Sequence, residues 1–131
     1  VLMMRLKSDL LPMLYATATG TLDQIKAEWS DDAALTVVLA SKGYPAGYDK
    51  NTPIDHIPEA SDEAKVFHAG TAIKDGQLVA TGGRVLNVTA IGKTVSEAQS
   101  RAYALASNVQ WENGFNRSDI GWQAVAREKG K

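Results

Sequence analysis

Two polar side chains stand out in the segment VFHAGTAIKDGQLVATGGRVLNVTAIG, residues 66–92: His68 near its start and Arg84 after a pair of glycines. Gly82 and Gly83 carry no Cβ, so a ligand or another backbone can come close to them. Free N–H groups on such a turn line an anion site, and an arginine fork binds phosphate through two hydrogen bonds. The same three residues also fit a β-bulge followed by a surface arginine, and on the residues alone this plainer reading has the better odds. The spacing is far looser than a Walker loop, and no G-x-x-x-x-G-K-[ST] occurs. His68 sits beside Gly70 and Thr71. A histidine there can bond a substrate or move a proton, although such residues more often satisfy nearby backbone groups. No Ser-His-Asp pattern and no close carboxylate pair accompanies it. Arg5 and Lys7 place two cations on an amphipathic N-terminal stretch, where charges usually form the solvated face.

These residues need a scaffold. The chain has 131 residues, enough for one domain or one domain with an appendage. Lys plus Arg is 14 and Asp plus Glu is 15, so the net charge of −1 gives no reason to expect nucleic acid or an anionic membrane as partner. There is no cysteine, which excludes disulfides and thiolate metal sites, and His56 and His68 are too far apart to suggest a metal constellation. No apolar run is long enough to span a bilayer and no cleavable signal is visible. A reducing, cytoplasmic setting is the default. The first residues have helical apolar spacing (Met3, Leu6, Leu10, Leu14) without an initiating Met, which reads as a cut inside a longer protein.

Residues 1 to about 19 are expected to be helical, with Pro12 bending the helix or Ser8 capping a new one, and Gly20 stopping it. TLDQIKAEWS adds a turn or two, with Leu22, Ile25 and Trp29 on one face. Leu35–Leu39 reads as a buried strand. The polar segment to Glu63 is an ordered loop that holds His56. Val66–Ala69 is a short strand. KDGQ turns a hairpin between Ala72-Ile73 and Leu78-Val79. Arg84–Ile91 is a longer strand, with Val85, Asn87, Thr89 and Ile91 on one face and Leu86, Val88 and Ala90 on the other. The clearest helix follows Thr94, with Glu97 completing a capping box and Val95, Ala98, Ala102, Leu105 and Val109 as its buried stripe. Trp111 and Phe115 are expected to cover the sheet. A short helix opened by Ser118 or Asp119 and a frayed charged tail end the chain. Trp29, Trp111 and Trp122 are expected in the core or a lid. The fold class is α+β: an N-terminal helix, then a small, mostly antiparallel sheet with one long and one short C-terminal helix.

Five blocks in order, MMRLKSDLL, VVLASKGYP, VFHAGT, TGGRVLNVTAIGKTVSEAQSRAYA and FNRSDIGW, resemble the C-terminal part of the glycinamide ribonucleotide synthetase (phosphoribosylamine–glycine ligase) family, ATP-grasp enzymes of purine biosynthesis. The resemblance implies a ligase that activates glycine with ATP as an acyl phosphate, which the amine of 5-phosphoribosylamine displaces. It implies magnesium, or manganese, on the nucleotide phosphates. It implies that residues 1–30 are the terminal helical segment of the ATP-grasp core and residues 31–131 the C-terminal domain. The family's acidic metal-binding segment and nucleotide-binding lobes have no counterpart here. No catalytic residue, metal ligand or ATP contact therefore transfers, and this stretch alone is expected to be inactive, binding no cofactor itself. What it implies for the site is a ribose-phosphate pocket: Gly82, Gly83 and Arg84 on one wall, His68, Gly70 and Thr71 on the other, Arg5 and Lys7 as weaker candidates. Small-molecule substrates, no nucleic acid, no membrane and a monomer complete that expectation. The competing class is a non-catalytic β module that binds a small ligand or a partner.

Overall fold

A computed structural model describes residues 1–130. Its centre is a four-stranded antiparallel sheet in the order β3-β6-β1-β7, formed by β1 (Ala33–Ser41), β3 (Ala64–His68), β6 (Arg84–Gly92) and β7 (Gly114–Phe115). A three-stranded sheet, β2-β5-β4, joins β2 (Thr52–Pro53), β4 (Thr71–Lys74) and β5 (Gln77–Ala80). The β4–β5 hairpin turns at Asp75-Gly76, with φ of 49° and 79°. Such a two-residue turn needs positive φ at both positions, which Asp-Gly supplies.

Helix α3 (Val95–Ala106) covers one face of the four-stranded sheet. Leu35, Val37 and Leu39 of β1, Leu86, Val88 and Ala90 of β6, and Ala98, Ala102 and Ala106 of α3 form the core. Alanines on the helix let it approach the strands closely. Val95, Leu105 and Val109 pack around them, half-buried. Thr94 caps α3 by accepting the Glu97 N–H at 3.1 Å. Glu97 reaches back to the N–H of Lys93, not of Thr94, and also pairs with Arg101. Trp111 is buried and donates its indole N–H to Thr52 Oγ1 at 3.0 Å.

Several expectations need correction. The N-terminal stretch is two helices, α1 (Leu2–Arg5) and α2 (Leu10–Thr19), and Asp9 caps the second, not Ser8. Pro12 then falls in the first turn of α2, where its missing N–H has no helical acceptor to lose. Gly20 ends α2 in the left-handed region, φ 71°. Beyond it only a 3₁₀ turn forms, Leu22–Gln24, and Ile25 and Trp29 lie on extended chain. Trp29, Trp122 and Phe115 are exposed, so of the three tryptophans only Trp111 joins the core. The final helix α4 begins at Trp122 and runs to Lys129, capped by neither Ser118 nor Asp119. Its tail is docked: Glu128 accepts the N–H groups of Val95 and Ser96 at 2.7 and 3.1 Å, capping α3 from outside. Lys131 lies outside the described residues. No helix is long and apolar enough to cross a membrane among the described residues.

Candidate functional site

The two faces of the central sheet differ. Opposite α3, the β1–β6 ladder presents Thr36 against Thr89 and Val38 against Asn87, and β3 adds Lys65 and Phe67. The hydroxyls of Thr36 and Thr89 bond to each other. Helix α1 touches β1 and β6 on this face, and Val1 and Met3 enclose with Thr36, Phe67, Asn87 and Thr89 a concavity of about 290 Å³.

Arg84 reaches this open face through a register shift. Leu39 pairs with Leu86, but Ala40 pairs with Arg84, so Val85 is an extra residue on β6. A bulge of this kind changes the phase of a strand whose side chains otherwise alternate. Val85 joins Leu86 in the core, fully buried, which corrects the expected alternation. Arg84 takes the side of Ala40 and Val38. Strict alternation would have aimed the guanidinium at α3.

The exposed Arg84 side chain makes no hydrogen bond or ion pair with the described residues. It lines a concavity of about 400 Å³ with Val38, Ala69, Gly70 and Asn87. It also borders a second, of about 390 Å³, with Tyr44, Phe115 and Arg117 among its walls. These spaces share Val38 and Arg84 and run together over one end of the sheet. Asn87, Val38, Tyr44 and Arg117 were not among the sequence candidates. Asn87 was legible as a polar residue in an apolar strand, whereas Tyr44 and Arg117 arrive through long-range pairing.

The glycines beside Arg84 hold the backbone. Ser41 Oγ donates to the Gly82 carbonyl and Ser41 N–H to the Gly83 carbonyl, both at 2.8 Å. A Cβ on Gly83 would fall 2.1 Å from the Tyr44 ring, so its hydrogen is what lets that ring settle. Gly70 faces Gly82 across the base of the hairpin: its Cβ would lie 2.8 Å from the Arg84 carbonyl oxygen and 3.0 Å from Gly82 Cα. The wall of the Arg84 concavity comes from Gly70, not from Gly82 or Gly83.

His68 does not share this space. It pairs with Leu86 in register, which sends its side chain toward the α3 side, and its Nδ1 lies 3.0 Å from Thr71 Oγ1. Neither His68 nor Thr71 lines a concavity with Arg84. Arg5 and Lys7 are also elsewhere. The Arg5 Nε and Nη2 donate to the Ser30 carbonyl at 3.3 and 2.9 Å, which commits the side chain to tying α1 to the segment before β1. Lys7 lies near Asp32 and helps hold that carboxyl below its ordinary value, after the larger effect of the Lys93 hydrogen bond. Both cations stand at the Ala33–Gly92 end of the ladder, and Arg84 at the Ala40 end. Roughly 20 Å of strand separates them at about 3.3 Å per residue.

Arg117 is held by Asp119 through Nε–Oδ1 and Nη2–Oδ2 contacts of 2.8 and 2.6 Å. This exchange raises the Arg117 guanidinium and lowers the Asp119 carboxyl relative to their ordinary values. Among the described residues, no three His, Asp or Glu side chains cluster to hold a metal ion.

A family model described as "Phosphoribosylglycinamide synthetase, C domain" matches residues 34–123, which include β1 from its second residue, the bulge, α3 and the Arg117 segment. The chain belongs to this family. The phosphoribosylamine–glycine ligase of Agrobacterium fabrum (strain C58) is 83% identical over 129 residues, covering 98% of this chain and 30% of that protein. The chloroplastic phosphoribosylamine–glycine ligase of Arabidopsis thaliana is 49% identical over 133 residues, covering 98% of this chain and 25% of that protein. A crystal structure of phosphoribosylamine–glycine ligase from Thermotoga maritima aligns with a TM-score of 0.67 at 38% identity, over 82% of this chain and 27% of that one. The chain thus spans about 30% of the first of these relatives and corresponds to the C domain of the phosphoribosylglycinamide synthetase family. Every residue that lines the two Arg84 concavities lies within the family match.

Proposed function

We propose that this chain is the acceptor-substrate side of a phosphoribosylamine–glycine ligase of the ATP-grasp class. Such an enzyme joins glycine to 5-phosphoribosylamine, with ATP converted to ADP and phosphate, in purine biosynthesis. Residues 1–30 are the terminal helical segment of the ATP-grasp core and residues 31–131 the C-terminal domain. The nucleotide, magnesium and the bond-forming step belong to polypeptide outside this chain, and a cytoplasmic monomer is the setting this reading implies.

One observation carries the assignment of substrate contacts. A bulge turns an unpaired guanidinium into a concavity whose wall, Gly70, lacks a side chain and whose floor offers the Asn87 amide. A planar two-point donor suits a phosphate monoester, and Gly70 leaves room beside it where a side chain would stand. The apolar surface of Val38 suits the face of a ribose ring. Gly82 and Gly83 act through the backbone that positions Arg84. His68 and Thr71 support the hairpin base.

In the full-length enzyme, Arg84→Ala is expected to raise the KM for phosphoribosylamine about tenfold to a hundredfold, the loss of one charge-assisted contact of about 1.5–3 kcal/mol. The KM for ATP should barely move. Equal kinetics for the sugar phosphate in the two proteins would reject the assignment.

A further inference from the structure

We infer that Arg117 is a second guanidinium for the same anion, so that the sugar phosphate is held in a two-arginine clamp across Ala40. The inference rests on the reading of the Arg84 concavity as a sugar-phosphate site. Ala40 pairs with Arg84 on one side and with Phe115 on the other. Adjacent strands lie about 4.8 Å apart, so the two flanking backbones are roughly 10 Å apart. Arg84 stands on one of these backbones, and Arg117 follows the other by two residues beyond Phe115, so that both line the space between. Arg84 and Arg117 line one concavity of about 390 Å³, whose apolar surface comes from Val38, Ala40 and Phe115.

Arg117 is built to stay where it is. Its carbonyl accepts the Tyr103 hydroxyl at 2.7 Å, and the same hydroxyl accepts the Ile120 N–H at 3.0 Å. Gln99 Nε2 donates to the Ile120 carbonyl at 2.6 Å. Tyr103 and Gln99 belong to α3, so the segment that carries Arg117 is tied to the helix packed on the core. The side chain is tied in turn by the two contacts to Asp119, which occupy Nε and Nη2. Nη1 bonds to no acceptor among the described residues. An exposed Arg–Asp pair by itself adds little stability. A guanidinium already fixed in position, however, loses little entropy when a ligand arrives. Asp119 offsets one positive charge, and with Arg84 the site keeps a net charge of +1 facing the anion. Arg117 also lines a concavity of about 340 Å³ at the start of α4, and its side chain is largely exposed.

The test uses full-length enzyme carrying Arg117→Gln, which keeps side-chain amide donors and drops the charge, with Arg84→Ala and the double variant beside it. Ribose 5-phosphate and unphosphorylated ribose are the probes, each measured as a competitor of phosphoribosylamine, and thermal unfolding reports the state of the fold. Arg117→Gln is expected to weaken ribose 5-phosphate about tenfold and to leave ribose and the KM for ATP unchanged, since a contact to a charged group is being removed. The double variant should lose less than the product of the single losses, because each arginine holds the anion for the other. Ribose 5-phosphate affinity within twofold of the parent, with unchanged thermal unfolding, overturns the clamp. Equal weakening of ribose and ribose 5-phosphate overturns it too, since that is the mark of a structural role. If Arg84→Ala alone weakens ribose 5-phosphate, the Arg84 reading stands and the clamp falls. If neither variant does, both fall. Should Arg117→Gln melt early, Arg117→Lys decides: it keeps the positive charge, so it must bind ribose 5-phosphate more tightly than Arg117→Gln, and an equal loss in the two variants counts against the clamp.

Discussion

Gly70→Ala is the substitution whose consequence follows most directly from the backbone geometry. The added methyl would lie 2.8 Å from the Arg84 carbonyl oxygen, 3.0 Å from Gly82 Cα and 3.1 Å from Gly82 N. All three are backbone atoms, so no rotamer change relieves the contact. The link between β3 and β4 must move by about half an ångström, the gap to ordinary contact at 3.4 Å. Two hydrogen bonds cross this junction and must stretch: Ala69 N–H to the Val85 carbonyl at 2.9 Å and Thr81 N–H to the Gly70 carbonyl at 2.8 Å. Overpacking of this kind costs about 1–3 kcal/mol, and each weakened hydrogen bond up to about 1 kcal/mol more. A loss of about 2–4 kcal/mol is expected in urea unfolding of the 131-residue chain, read as a lower midpoint at constant slope. Two controls separate the causes. Gly47→Ala meets nothing within 4 Å and has no positive φ, so it should be neutral or stabilising by up to about 1 kcal/mol. Gly76→Ala also meets open space but has φ +79°, so it should cost about 1–2 kcal/mol from backbone strain alone. A Gly70→Ala curve that overlays that of Gly47→Ala would refute the close-approach argument.

Glu128→Ala should expose the N–H groups of Val95 and Ser96 and cost about 1 kcal/mol, typical of a lost helix cap, with faster hydrogen exchange at those two amides as the direct readout. The Lys93–Asp32 pair, 2.7 Å apart, holds the Asp32 carboxyl below its ordinary 3.8, first through the Lys93 hydrogen bond and then through that of Ser30. A carboxyl lowered on folding adds stability that is full above the ordinary carboxylate range, so this contribution begins to fall as pH drops through 3.8 and is gone below the depressed value. Lys93→Met should move the Asp32 titration, followed by carboxyl carbon NMR, upward toward 3.8; an unmoved titration would show that Lys93 is not the cause.

Sequence made the scaffold legible where local chemistry and burial agree. The Leu35–Leu39 run, the Asp75-Gly76 turn, the β6 strand and the Thr94-capped helix all form where their residues point. Elements fixed from a distance were not legible. The strands β2 and β7 have two residues each and exist because β5 and β1 offer partners. Trp29 and Trp122 are as apolar as Trp111, and nothing in their neighbours' spacing says that only Trp111 finds Thr52 to accept its N–H. In the site, Arg84 was identified by its two preceding glycines. His68 was placed on the wall facing it because a hairpin brings its two arms together, but strand phase separates them. Arg5 and Lys7 share its charge and stand at the other end of the ladder. Arg117 and Tyr44 were invisible because β7 pairing and the packing of a ring on Gly83 bring them in.

The bulge at Val85 links stability to chemistry at this end of the sheet. Side chains along a strand repeat every two residues, so one extra residue must send two successive apolar groups to the same face or strand one in solvent. Here Val85 and Leu86 are both fully buried, so the core absorbs the extra side chain. That burial is what makes Arg84 on the open face the stable arrangement, because the alternative phase would desolvate a guanidinium against α3. Ser41 fixes the same geometry from β1 by gripping the two glycine carbonyls. A position that looks like a ligand-binding loop in sequence is therefore held by hydrophobic packing on one side and backbone hydrogen bonds on the other. The glycines make the close approach possible, and the arginine presents the charge.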